Sequence, residues 1–145
     1  AEFHYTDEPV CEDFTIEEIF VKDAMGGHSG DDINKGRANA VQLLGRFLYS
    51  IKDLDWQLIA INGGNKRNAI AREAKAAIAA EGDTLDIINE RLEAYAKANG
   101  HRYADYFSVM DDGNRAMKKE YQKDAVHPNK EGYLAMEEVI QKILK

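Results

Sequence analysis

The chain of 145 residues predicts an α+β fold, a ferredoxin-like split β-α-β-β-α-β antiparallel sheet with an extra C-terminal helix. Runs rich in β-branched and aromatic residues at 14–22, 56–62 and 102–110 have the composition of strands. Apolar stripes at helical spacing separate them. Glycine-containing breaks punctuate the order.

The elements follow in turn. "FTIEEIFVK" (14–22) has a broken alternation, so a strand with a bulge is expected. "GGHSGDD" (26–32) is a loop, and Asp32 or Asn34 is placed to cap a helix running to about Ser50. Ala38, Val41, Leu44, Phe47 or Leu48, and Ile51 give that helix its apolar stripe. "WQLIAIN" (56–62) is a second strand, stopped by two glycines. Residues 68–80, "NAIAREAKAAIAA", read two ways. Alanine favours helix, while a position between two glycine-containing turns permits a strand paired with the preceding one. "DTLDIINERLEAYAKANG" (83–100) is a helix capped by Asp83 or Thr84, striped by Leu85, Ile88, Leu92 and Tyr95, and ended by Gly100. Residues 102–109 are expected as the last strand, lying beside 14–22 in the middle of the sheet. A helix from about Lys130 closes the chain, with Tyr133, Met136, Ile140 and Ile143 on one face.

Composition narrows the function. Charged residues are 31% and apolar ones 44%, as in a soluble globular domain, and the length suits a single domain spanning 1–145. The formal charge of −7 argues against nucleic acid or an anionic membrane as partner. No stretch is long enough to span a bilayer. Cys11 is alone, which leaves no internal disulfide and no thiolate cluster for zinc, and makes a reducing, cytoplasmic setting the expectation. No cofactor is expected. The opening "AEFHYTDEP" lacks a methionine, as in a fragment, a processed product or an engineered chain.

Few residues carry chemistry. In "KDAVHPNKEGY" Asp124 stands three residues ahead of His127, a spacing that suits an orienting carboxylate and a general base. The plain alternative is a loop histidine, a solvated aspartate and a helix started by Pro128 and Asn129. Ser29 in "GGHSGDD" only loosely matches a nucleophile elbow, because Asp31 stands where the second glycine belongs. His28, Asp31 and Asp32 could ligate a metal only if the loop wrapped round it; capping of the next helix by the aspartates is the simpler reading. "INGGNKRNAI" carries Asn62, Arg67 and Asn68 round a Gly-Gly turn, where Arg67 could clamp a carboxylate. Its plain reading is a hairpin turn with a solvated basic edge.

Two resemblances overlay this reading. "YTDEPV", "GGHSGDDINKGRANAVQLLGRFL" and "LIAINGGNKRNAIAREA" resemble the lid (dimerisation) domain of the aminoacyl-histidine (Xaa-His) dipeptidases, which are di-zinc metallopeptidases. That likeness covers residues 1 to about 81 and implies a ferredoxin-like lid, which favours a strand for 68–80. It also implies a homodimer, a role for His28 at the reacting carbonyl across that dimer, and a carboxylate region near Asn62 and Arg67. The zinc ligands of that family lie in a catalytic domain that this chain does not match. "INERLEAYAKANGHRYADYFSVM" and "KDAVHPNKEGYLAME", within 83–145, resemble the C-terminal part of an SGNH (GDSL-type) esterase or acylhydrolase. That likeness implies that Asp124 and His127 are a catalytic acid and base whose serine and oxyanion blocks are absent. Together they suggest a recombined, engineered chain without a complete active site, whose role is structural self-association. The alternatives are a weak hydrolase using Asp124 and His127, and a module that binds a small carboxylate.

Overall fold

A computed structural model describes residues 6–124 and 127–145. Tyr5, and Ala125 and Val126 between Asp124 and His127, therefore lie outside the described residues. The chain divides into two compact units, 1–91 and 92–145. The content is α+β.

The first unit opens with strand β1 (Thr15–Val21), followed by the two-residue strand β2 (Gly27–His28) and a 3-10 turn at Ile33–Lys35. Helix α1 (Ala40–Ser50) starts later than the sequence suggests. Its cap is Asn39, whose side chain accepts the N–H groups of Val41 and Gln42 at 3.1 and 3.3 Å. Gly36 at φ 66° breaks the chain before it, so neither Asp32 nor Asn34 serves that helix. Then come β3 (Gln57–Gly63), the short β4 (Ala69–Ile70), β5 (Ala74–Ala80) and helix α2 (Gly82–Ala98), which carries the chain into the second unit.

Strand formation at 68–80 is borne out, in two pieces. β5 is the middle strand of a three-stranded antiparallel sheet ordered β1-β5-β3. It buries Ala74, Ala76, Ile78, Ala79 and Ala80, so tertiary burial overrides the helical preference of alanine. Helix α1 comes close to the sheet at the end of β3. A Cβ on Gly63 would stand 2.8 Å from both Ala74 Cβ and Val41 Cγ2. The irregularity expected in the first strand sits instead in β3, between Leu58 and Ala60.

The expected fourth strand is absent among the described residues. Residues 101–105 are irregular, and Tyr106–Met110 form a short helix, α3. Asp105 explains the change: its carboxylate accepts the N–H of Ser108 at 3.0 Å and caps that helix. The pair expected at the sheet centre, 14–22 with 102–109, is replaced by β1 with β5, and β1 is an edge strand.

The core belongs to the first unit. Its largest fully buried side chains are Phe47, Leu44, Ile51, Ile78, Leu85 and Ile88. Helix α1 packs on β5, β1 and β3 and buries Ala40, Leu44, Phe47 and Leu48, with Ile51 buried just after it. Val41, placed in the stripe by spacing, is exposed, and Ala40 is buried in its stead. In α2, Leu85 and Ile88 are buried as expected, and Leu92 and Tyr95 are partly exposed. Arg91 pairs bidentately with Asp53 at 2.7 and 2.9 Å, tying α2 to the segment after α1. The helix ends at Gly100 in a Schellman arrangement, with His101 N–H bonded to the Ala96 carbonyl at 2.8 Å.

The second unit holds α3, a 3-10 turn at Lys119–Tyr121, and helix α4 (Lys130–Leu144). Asn129 organises it: the side-chain oxygen caps α4 at Gly132 N–H, and the amide donates to the Glu120 and Gln122 carbonyls. Among its described residues Ala96 and Gly132 are buried, and none of the larger apolar side chains is.

Candidate functional site

His28 is held by a short ladder and a clamp. β2 pairs antiparallel with β4, setting Gly27 opposite Ile70 and His28 opposite Ala69, and Ser29 N–H continues to the Asn68 carbonyl at 3.0 Å. The loop then turns back: Asp32 N–H bonds the His28 carbonyl at 2.9 Å, and Asp32 Oδ2 accepts the His28 N–H at 2.8 Å. The Asp32 carboxylate also meets Lys35 Nζ at 2.7 Å and Arg37 Nη1 at 3.2 Å, and Arg37 Nη1 donates to the Gly26 carbonyl at 2.8 Å. Gly27, at φ 145°, is required there, since a Cβ would run into Arg37 and the Asp32 carboxylate.

The ring of His28 has a defined proton arrangement. Nδ1 accepts the backbone N–H of Gly30 at 3.1 Å, with Asp31 N–H more distant at 3.4 Å. A nitrogen receiving N–H donors carries a lone pair, so the neutral ring is protonated on Nε2 and can donate from there. The hydrogen bond from Lys35 above all, then the His28 N–H, holds the Asp32 carboxyl below its ordinary range. Its folded pKa is depressed, so the clamp is charged at neutral pH and opens only as pH falls through that lowered value.

The other candidates are placed as follows. Arg67 lies exposed in the turn between β3 and β4, two residues before the rung that faces His28. Asn62 lies on β3 opposite Lys75 of β5, and among the described residues no hydrogen bond joins it to His28 or Arg67. Ser29 sits between β2 and a 3-10 turn, which is not the strand-to-helix elbow of a nucleophile. In the second unit His127 Nδ1 lies 2.9 and 3.0 Å from Oδ2 and Oδ1 of Asp124, and Oδ1 also accepts the His127 backbone N–H at 2.8 Å. The pair is open to solvent, with side chains 71% and 54% exposed, and among the described residues no serine hydroxyl bonds His127. The zinc implied by the dipeptidase resemblance has no donor set here: among the described residues no three His, Cys, Asp or Glu side chains gather to hold an ion. Among them, too, no helix is long and apolar enough to cross a membrane.

One surface escaped the sequence reading. The outer side of α1 forms a shallow groove of about 470 Å³ lined by Asn39, Val41, Gln42, Gly45, Arg46 and Tyr49. Its signal was available in the spacing of Val41, Gly45 and Tyr49, every fourth residue on one helix face. Alongside, β3 is an edge strand whose Leu58, Ile59 and Ile61 are exposed.

Residues 21–104 match the model of the peptidase dimerisation domain of M20 type. The chain belongs to that family. Over 96 residues it is 41% identical to the cytosol non-specific dipeptidase of Escherichia coli (strain K12), a match covering 66% of this chain and 20% of that protein. The crystal structure of aminoacylhistidine dipeptidase from Vibrio alginolyticus aligns with a TM-score of 0.64 at 37% identity, over 67% of this chain and 20% of that one. The dipeptidase-lid resemblance read from the sequence is thereby supported. A putative acylhydrolase from Bacteroides fragilis aligns over 41% of this chain and 29% of its own at 43% identity, with a TM-score of 0.37, which establishes no common fold. The dimerisation domain described here thus spans about a fifth of the length of the dipeptidases it matches.

Proposed function

We infer that this chain is a self-association module of the dipeptidase-lid type, without turnover of its own. Two copies pair isologously through the outer face of α1 and the edge of β3. The observation that carries this is the contrast between the two sheet edges. β3, "QLIAING", bears no charge and exposes three large aliphatic side chains beside the α1 groove. β1, "TIEEIFV", also exposes Ile16 and Phe20, but it carries Glu17 and Glu18, and although Lys75 meets Glu18 at 2.9 Å, a two-fold pairing through its centre would bring the carboxylates of both copies together. An uncharged, apolar edge left open invites pairing, whereas a charged one resists it. A two-fold contact through β3 and α1 would extend the sheet and fill the Gly45 notch from the partner.

In the assembled module His28 would offer its Nε2–H to a carbonyl oxygen, with Arg67 and, more loosely, Asn62 near a substrate carboxylate. That role rests on the dipeptidase resemblance and is supported by the free donor on the ring. The lone Cys11 and the cytosolic relative favour a reducing, cytoplasmic setting. Sedimentation equilibrium at tens of micromolar is expected to give twice the 16.3 kDa of one chain. A single-chain mass throughout would defeat the proposal.

A second reading is favoured by one observation, the 2.9 Å contact of Asp124 with His127 Nδ1. It supports descent of the segment holding that pair from an SGNH esterase, a recombined chain, and a dyad that once served a serine, although residues 83–104 of the 83–145 stretch fall within the dimerisation-domain match. Without a nucleophile and oxyanion donors the largest electrostatic contribution to catalysis is missing. Hydrolysis of a nitrophenyl ester is therefore expected at background rate. Turnover abolished by His127→Ala would establish the hydrolase instead.

A further inference from the structure

Asp32 precedes the 3-10 turn Ile33–Lys35, yet its side chain makes no capping bond to that turn. The carboxylate is used backwards along the chain. It takes the N–H of His28, and through Arg37 it reaches the carbonyl of Gly26, so both neighbours of Gly27 are held by one ion pair. The groups are little exposed: 15% of the Asp32 side chain and 24% of that of Arg37. The amides of Gly30 and Asp31, which meet His28 Nδ1, lie inside the loop that Asp32 closes from both its backbone and its side chain.

We propose that Asp32, with Arg37 as its counter-ion, is the positioning residue that fixes His28 as a neutral ring protonated on Nε2. This rests on the reading of His28 as a donor to a carbonyl oxygen, and it adds the part that makes donation from Nε2 the ground state. If Asp32 let go, the 26–32 loop would lose its brace, Gly30 N–H would drift from Nδ1, and the ring would be free to carry its proton on either nitrogen. The charged groups facing the carboxylate are Lys35 and Arg37, and Asp31 stands 3.6 Å from the ring nitrogen on the solvent side. A protonated Nδ1 would turn to Asp31 rather than to the two amides. Asp32 therefore selects a tautomer.

Long-range proton–nitrogen NMR spectra of the full chain labelled with ¹⁵N-histidine distinguish the two neutral tautomers and the charged ring. For the wild type in alkaline buffer, His28 is expected predominantly as Nε2–H. In Asp32→Ala the ratio should move toward Nδ1–H by about three- to tenfold, what one hydrogen bond of ordinary net strength is worth. Asp32→Asn keeps an oxygen for the His28 N–H and should restore part of the ratio. Arg37→Gln, which spares the carboxylate and Lys35 but removes one of its two counter-ions and the bond to the Gly26 carbonyl, should shift it in the same direction and guards against an Asp32→Ala chain that fails to fold. A merely structural role would lower the melting temperature of all three and leave the ratio unmoved in the folded chains. That result, or a wild-type His28 carrying its proton on Nδ1, overturns the proposal. The tautomer is a property of a single chain, so a monomeric mass would defeat the self-association reading without touching this measurement.

Discussion

Phe47→Ala is expected to destabilise the chain by about 3–5 kcal/mol, the range for deleting a buried aromatic side chain. Phe47 is 2% exposed and stands among Leu44, Leu48 and Ile51 on the inner face of α1. The strand beneath is built mostly of alanine, and small side chains cannot move to refill the space. The loss combines the transfer of the ring with a cavity that stays open. It would consume a large share of the roughly 5–15 kcal/mol by which a domain of this size is stable. Tyr49→Ala, two positions on but 69% exposed, should change the stability of the single chain by less than about 0.5 kcal/mol. Urea unfolding of both variants at a concentration that keeps chains single checks the contrast. Equal losses would mean that α1 turns a different face to the sheet.

Ile61→Lys should weaken self-association by about a hundredfold or more while leaving the single chain folded. Ile61 is 49% exposed on an edge strand, so a lysine there keeps its ammonium in water in the isolated chain. In a two-fold contact each substitution occurs twice, and the two lysines face one interface. Burying a charge without a partner costs about 2–5 kcal/mol at an interface, which a tenfold-per-1.4 kcal/mol scale turns into the stated loss. Ile16→Lys on β1, at an isoleucine 55% exposed on the other edge strand, serves as the matched control, because the proposed pairing does not use that edge. Sedimentation of the two variants should give single chains for the first and dimers for the second; the reverse would move the interface to β1.

Much of the first unit was legible because its signals are local. The strand composition of 15–21 and 57–63 and the period of Leu44, Phe47, Leu48 and Ile51 each act within a few residues. The alanine run at 74–80 was not legible locally. It is a strand because α1 presses close above it, a fact that no window of the sequence contains. The segment 102–110 misled in the opposite way, since its aromatics suggest a strand and one side chain, Asp105, caps a helix instead. The order of strands in the sheet was also misassigned, because pairing depends on which strand has a partner on both sides.

The site divides similarly. His28, Arg67 and Asn68 fall near one another because β2 and β4 pair, and the two motifs that form those strands were visible as motifs. Asn62 looked close in sequence but faces Lys75 on the main sheet. The function of Asp32 was hidden by its proximity to a helix start, where an aspartate is ordinarily read as a cap. The outer face of α1 was hidden because Val41 continues the apolar stripe, and spacing alone does not say which side of a broad stripe meets the sheet.

Amide hydrogen exchange across a concentration series tests the central claim most directly, because it reports which edge is covered. On assembly, amides of Leu58–Asn62 should slow with rising chain concentration, while those of the outer edge of β1 should exchange at a constant rate. The central strand β5, bonded on both sides within one chain, is the internal reference and should stay slow throughout. Protection that rises along β1 and not β3, or exchange at β3 that ignores concentration, would contradict pairing through the β3 edge.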